Sequence, residues 1–331
     1  MTSRRFTRKA VVAAGLSAGA IAAVATVALA VPAGASTMSA ASHGYTFKEI
    51  NNDRDLTFNQ LLGINKHGKI AGYFGSGMTG HPNKGYTVTF PYHQSDFRNE
   101  NFPHSMQTQV TGLNDLGQTV GFWVPQGPSG ANFGFYRGSN GKYHNVPTPP
   151  GAANASPEVD QLLGINDHGI AVGFYTNSAN NNRGYTYNVY THKYDRVRAP
   201  GSSTGLNGTS LTAAAINNHG TIAGFYVNAH GVTVAFVKAG NKFTTIVWKG
   251  ATMTQAFGIN DSGEVVGAYT FGTGSSATTY GFTWTHAHGF RKVNDPHGIG
   301  STIINGVNDK GDLVGFYTDS AGNTDGFLAT P

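Results

Sequence analysis

A phrase of the form Gly-Ile-Asn-Asp-x-Gly-x-Val-Val-Gly-x-Tyr recurs six times along the 331-residue chain, beginning at Gly63, Gly112, Gly164, Ala215, Gly258 and Gly306. Its asparagines stand 49, 52, 51, 43 and 48 residues apart. A unit that cannot bury its own apolar face must stack on its neighbours, so a fixed period constrains this fold more tightly than composition does. The period is too long for a leucine-rich repeat and falls in the range of propeller blades. Each unit resolves into four short strands. In the fifth, the strands are 254–260, 265–269, 280–285 and 290–293, and Gly263 supplies the positive φ needed by the turn after the first. Antiparallel strands in fours, every ~45 residues, describe a blade.

The two ends of the chain complement each other. The sixth unit stops after its third strand at Pro331, while residues 45–50, Tyr-Thr-Phe-Lys-Glu-Ile, match outer strands such as 243–246 and 290–293. The sequence therefore predicts an all-β, six-bladed β-propeller of four-stranded antiparallel blades over residues 45–331. The N-terminal strand closes the last blade and leaves no unpaired seam. Residues 97–102 fit the outer-strand template poorly.

Ahead of the repeats, Arg4, Arg5, Arg8 and Lys9 precede an uncharged run rich in Ala and Val, and Ala33-Gly34-Ala35 gives a small-x-small cleavage pattern. Residues 1–35 read as a signal peptide and 36–44 as a flexible linker. The apolar run is long enough for a single membrane anchor, but it is only weakly apolar and the cleavage pattern follows directly. Export by the Sec or the twin-arginine route is left open. Cleavage removes four of the 22 basic residues and none of the 17 acidic ones. The basic balance of the whole chain thus belongs largely to the leader, and the mature protein offers no electrostatic footprint for nucleic acid. The chain has no Cys, which excludes disulfides, thiol catalysis and Cys-ligated metals.

The Gly-Ile-Asn-Asp-x-Gly phrase, followed by Gly-x-Tyr and then a Gly-Phe or Gly-Tyr pair, resembles the HAF family of extracellular repeats in bacterial secreted proteins, over residues 45–331. The pairs are Gly85-Tyr86, Gly134-Phe135, Gly184-Tyr185, Ala235-Phe236, Gly281-Phe282 and Gly326-Phe327. Family copies often place His before the pair, where Lys84, Phe133, Arg183, Val234, Tyr280 and Asp325 stand here. The resemblance implies secretion and a repeat fold, and it carries no activity.

Repeated polar residues in such a fold are expected to be structural. Asp115, Asp167, Asp261 and Asp309 each sit on the hairpin of a different blade, so the sequence predicts Asx hydrogen bonding within each turn and no convergence on a calcium ion. His67, His168 and His219 are expected to lie far apart around the ring, with no shared metal. Gln60, Gln109, Gln161 and Gln255 stand three residues before the leading Gly and predict a partial ring of amides near the channel mouth. Those amides either bind a sugar or peptide or bond neighbouring backbone. The second strands end in Phe74, Trp123, Tyr175, Tyr226, Tyr269 and Tyr317. These aromatics either stack on sugar faces or pack between blades.

A single catalytic centre would need residues that break the repeat. The connections between blades supply Asp53, Asp55, His104, Glu158, Asp160, Asp295 and His297, expected around the channel mouth. No phosphate loop, dinucleotide fingerprint or nucleophile elbow stands in a fitting context, so no cofactor is expected. The reading is a secreted, monomeric, non-enzymatic propeller that recognises extracellular glycan or cell-wall polymer through its loop face. The alternatives are a carbohydrate-active hydrolase or lyase centred on the channel mouth and a protein-interaction scaffold.

Overall fold

The computed structural model describes residues 44–331 apart from 150, 153–154 and 201–209; the leader and nearly all of the linker lie outside the described residues. Among the described residues no helix is long and apolar enough to cross a membrane. The chain is a β-propeller of four-stranded antiparallel sheets. Sheet 1 is built from Asn59–Ile64, Ile70–Phe74, Lys84–Val88 and Phe97–Asn99, and sheet 2 from Gln107–Leu113, Thr119–Val124, Phe133–Arg137 and Tyr143–Asn145. Sheet 3 comprises Asp160–Ile165, Ile170–Thr176, Asn182–Asn188 and Tyr194–Arg196. Sheets 4 (Leu211–Ile216, Ile222–Val227, Thr233–Ala239, Lys242–Ile246) and 5 (Met253–Ile259, Val265–Phe271, Thr278–Thr285, Gly289–Lys292) are joined by one parallel pair, Thr233 with Met253. Sheet 6 holds Thr302–Val307, Leu313–Thr318 and Thr324–Thr330, and Thr46–Glu49 lies antiparallel against the last of these. The outer strand of sheet 1 is Phe97–Asn99, shorter than the stretch that matched the template poorly.

Local chemistry explains why each unit folds alike. The repeat Asn receives hydrogen bonds on its side-chain oxygen from the backbone two and four residues on, as Asn166 does from His168 (3.1 Å) and Ile170 (3.0 Å). Gly169, at φ +70°, then closes the turn into the second strand. A β-bulge interrupts every first strand one turn earlier, for example between Leu162 and Gly164. The carbonyl that precedes the bulge is pushed toward the second strand, and a methyl group on Gly173 would collide with the carbonyl of Gln161. The Gly of the Gly-x-Tyr phrase is therefore fixed by a neighbouring backbone.

Because the sheets stack face to face around an axis, the core is a series of layers between neighbours. Sheets 6 and 1 share one such layer, with Val314 and Leu328 packed against Leu61, Ile64, Ile70, Tyr86 and Val88. Ile50, just after the N-terminal strand, is buried in the same layer at 3% exposure.

Candidate functional site

The first strands converge on the axis, and the repeat asparagines form a closed cycle there. The side-chain amide of each donates to the backbone carbonyl of the next: Asn65 to Asn114, Asn114 to Asn166, Asn166 to Asn217, Asn217 to Asn260, Asn260 to Asn308 and Asn308 back to Asn65, at 2.9 to 3.2 Å. The next residue of each turn makes a second series. The carboxylate of Asp167 accepts from the Asp115 N–H, Asn218 from that of Asp167, Asp261 from that of Asn218 and Asp309 from that of Asp261. Lys66 breaks the series and pairs with Asp115 at 3.1 Å. That hydrogen bond, together with the charges of Asp115, Asp167 and Asp309, raises the Lys66 pKa.

This corrects the expectation of Asx bonding within each turn: the four carboxylates accept from the neighbouring turn instead. They meet because the turns at the ends of the inner strands are where the sheets approach most closely. The result is still structural: each acid caps a neighbouring turn, His67, His168 and His219 point to exposed positions, and among the described residues no group of His, Asp or Glu is arranged to hold a metal. Two cavities of about 80 Å³ each lie along the axis, both lined by Ile64, Leu113, Ile165, Ile216, Ile259 and Val307. That volume suits water rather than a sugar ring.

The glutamines line neither axial cavity. Gln109 donates to Asn83 (2.9 Å) and Gln161 to Asn132 (3.0 Å), while Gln60 accepts from the Tyr73 hydroxyl (2.8 Å). Gln161 and Gln255 are buried. Of the two alternatives, Gln60, Gln109 and Gln161 thus take hydrogen bonding within the fold, to neighbouring side chains rather than to backbone.

The second-strand aromatics mostly pack. In sheet 2, Phe102 from the incoming connection stacks on Trp123 at 4.5 Å and also touches Phe135 and Tyr143. In sheet 5, Trp248 lies flat on Tyr269 at 3.8 Å and touches Phe290. Both plugs are held alike: the Phe102 N–H donates to Thr108 and the Trp248 N–H to Thr254. In sheet 6, His297 approaches Tyr317 at 6.2 Å, and the Tyr317 hydroxyl donates to Glu49. Tyr226 is hydrogen-bonded to Thr245, and Tyr175 is buried. These five rings are therefore not free sugar platforms, because their faces are already covered or their polar tips engaged.

Sheet 1 lacks the plug of sheets 2 and 5. Phe74, Tyr86 and Phe97 occupy the places of Trp123, Phe135 and Tyr143 and form the same aromatic floor, with Tyr86 and Phe97 at 4.9 Å. No aromatic plug covers it. The N–H that matches those of Phe102 and Trp248 belongs to Asn52, which donates to Asn59. In place of a ring there is a cavity of about 570 Å³, lined by Asn52, Asp53, Arg54, Phe74, Lys84, Gly85, Tyr86, Gln94, Phe97, Asn99 and Asn101. Gln94 fixes the incoming segment by accepting from the Asp53 N–H and donating to the Asn51 carbonyl. Tyr86 is 1% exposed, yet its hydroxyl has no hydrogen-bond partner. The other tyrosine at this position, Tyr185, donates its hydroxyl to Asp160. Burial pushes the Tyr86 hydroxyl pKa far up, so it is a donor at any ordinary pH.

The acids singled out in the sequence are spread over the connections into four sheets. Asp53 lines the slot of sheet 1. His104 sits exposed at φ +61° before sheet 2. Glu158 accepts from Thr148, and Asp160 is no loop residue at all but the fully buried first residue of sheet 3. Asp295 and His297 pair at 3.2 Å before sheet 6, and burial raises the Asp295 pKa. Asp55 pairs with His81 at 2.8 Å; burial pushes its carboxyl up, but hydrogen bonds from Thr57 and His81 outweigh this and hold it below the usual value. Among the described residues no hydrogen bond or ion pair joins groups from different connections, so the expected cluster at one channel mouth does not form.

Sequence reasoning missed Arg54, Lys84, Phe97, Asn99 and Asn101. A signal was present: seven residues before Gln109 and Gln255 stand Phe102 and Trp248, and seven before Gln60 stands Asp53.

The chain matches no family model and no curated protein. Among solved structures it is similar to AofleA from Arthrobotrys oligospora (12% identity, 86% of each chain covered, TM-score 0.49). It is also similar to a fungal lectin from Aleuria aurantia described as a six-bladed β-propeller with a fucose recognition mode (11% identity, 82% of this chain and 89% of that chain, TM-score 0.47). A third similar structure is a polysaccharide lyase, an ulvan lyase (12% identity, 80% of this chain and 77% of that chain, TM-score 0.42).

Proposed function

We propose that the chain is an exported, monomeric, non-enzymatic glycan-binding propeller of six blades, held shut by its N-terminal strand, that takes a pyranose ring in the open slot of sheet 1. The observation that carries this reading is the missing plug. Where sheets 2 and 5 place a flat ring on their aromatic floors, sheet 1 leaves a cavity of about 570 Å³ over the same floor. The C–H face of a sugar stacks on such a floor, and amide, hydroxyl and cationic groups around it answer the hydroxyls. The volume lies within the range of small-ligand sites, roughly 300 to 1,000 Å³. Export rests on the leader pattern and on the resemblance of the repeat phrase to extracellular HAF repeats.

The test is binding of residues 36–331 to a soluble glycan panel and to purified bacterial cell wall. Phe74→Ala should remove binding by taking away the floor, and Asp53→Trp should block it by filling the slot, both in protein that remains folded by circular dichroism. Silence of the unmodified protein on every glycan would turn the slot toward a protein partner.

A further inference from the structure

The slot of sheet 1 is not a neutral one. Two cations line it, Arg54 and Lys84, against a single carboxylate, Asp53. Neither cation takes part in an ion pair among the described residues. The guanidinium of Arg54 has no hydrogen-bond partner there, since only its backbone N–H is engaged, with Asn52. The ammonium of Lys84 donates to a neutral acceptor, the Met106 carbonyl, at 3.1 Å. Asp55, next to Arg54 in the chain, is turned instead to His81 and Thr57.

Lys84 is also the one lysine in its set. At the position before the Gly-Phe or Gly-Tyr pair the other sheets carry Phe133, Arg183, Val234, Tyr280 and Asp325, so no structural rule of the repeat asks for an ammonium there. The repeat likewise does not ask for the Tyr86 hydroxyl, because sheets 2, 4, 5 and 6 fill that position with Phe135, Phe236, Phe282 and Phe327. A buried hydroxyl without a partner costs stability. A guanidinium without a partner and an ammonium on a neutral acceptor thus line the same unplugged slot, over a floor whose Tyr86 stands where four other sheets have Phe.

We infer that the slot takes an anionic saccharide, a pyranose carrying a carboxylate or a sulfate ester, with its ring on Phe74 and its charged group between Arg54 and Lys84. The inference rests on the glycan-binding reading and names the chemical class within it. A guanidinium matches the paired oxygens of either anion through parallel N–H donors. The Asp53 carboxylate and the amides of Asn99 and Asn101 remain for uncharged hydroxyls. Uncharged sugars of the same size satisfy the floor and the amides but leave both cations without a counter-charge.

The experiment is calorimetric titration of residues 36–331 with three oligosaccharides of equal length: a neutral galactan, a galacturonan and a sulfated galactan. The expected result is that at least one anionic oligosaccharide binds about tenfold more tightly than the neutral one, the effect of one charge-assisted hydrogen bond. That ratio should shrink as salt is raised. Arg54→Ala should bring the ratio close to one by weakening the anionic oligosaccharide far more than the neutral one, Arg54→Lys should restore part of it, and Lys84→Met, which keeps the packed stem, should lower it independently. Which anion wins identifies the source of the charge. Equal affinity for neutral and anionic oligosaccharides, or a ratio that survives both substitutions, overturns the inference and leaves the glycan site standing. Absence of binding to all three, with the protein folded, overturns both.

Discussion

Asp160 should make this protein less stable as pH rises through neutrality. The residue is 0% exposed; one carboxyl oxygen accepts from the Tyr185 hydroxyl and the other has no partner. Burial pushes its pKa from 3.8 up to about 7, against the pull of the Tyr185 hydroxyl and the Gly134 N–H, and the charge of Glu158 adds to the rise. A folded-state pKa above the unfolded one means that the folded protein holds a proton the unfolded chain releases. The stability tied to that proton is fully present below about pH 4 and is lost as pH climbs to about 7. The rise corresponds to about 4 kcal/mol. Asp160→Asn keeps an acceptor for Tyr185 and removes the charge. The variant should therefore exceed the unmodified protein by about that amount at pH 8 and by little at pH 4, which for a chain of this size is a gain of ~10 °C in melting temperature. Urea unfolding of both proteins across this range isolates the residue, because Asp325, Asp295 and Glu264, whose pKa values are also raised by burial, contribute equally to each. Equal stability of the two proteins at pH 8 would refute the reasoning.

Deleting residues 45–50 removes the strand paired with Thr324–Thr330, the buried side chain of Ile50 and the contact of Phe47 with Phe327 at 5.4 Å. The loss of apolar burial alone is about 4 kcal/mol, and an unchanged calorimetric melt would show that the ring is held without this strand. Trp248→Ala should open in sheet 5 the slot that is open in sheet 1, costing about 3 to 5 kcal/mol for the cavity over Tyr269. Added indole should restore part of the lost melting temperature, and a variant that indole leaves unmoved would separate the two slots.

The strand count, the turn positions and the place of residues 45–50 were legible because each is written locally and repeated six times. In the fifth unit the expected strand 254–260 lies at Met253–Ile259, and 290–293 at Gly289–Lys292. What a period does not carry is radius. Asn65 and Asn114 are 49 residues apart in the chain and hydrogen-bonded in space. The turn residues therefore looked isolated in the sequence although they form the tightest contact between sheets. The glutamines were half-legible for a related reason: their place near the start of the inner strands could be read, but not the asparagines just before neighbouring third strands, Asn83 and Asn132, that engage two of them.

The site was hidden by the same regularity that disclosed the fold. A repeat directs attention to positions that agree, and in this chain those positions are occupied with holding sheets together: the amide cycle on the axis, the glycines opposite the bulges, the aromatic floors under their plugs. A ligand that binds one slot of six must be read from disagreement instead. In sheets 2 and 5 the incoming connection seals the floor with a ring of its own, Phe102 and Trp248. Asn52, Asp53 and Arg54 replace that seal with polar groups. Polar side chains over an aromatic floor gain nothing for the fold that Phe102 does not supply better in sheet 2, since they leave apolar surface beside a cavity. The departure costs stability in the unliganded protein, and an occupant that covers Phe74 offsets it.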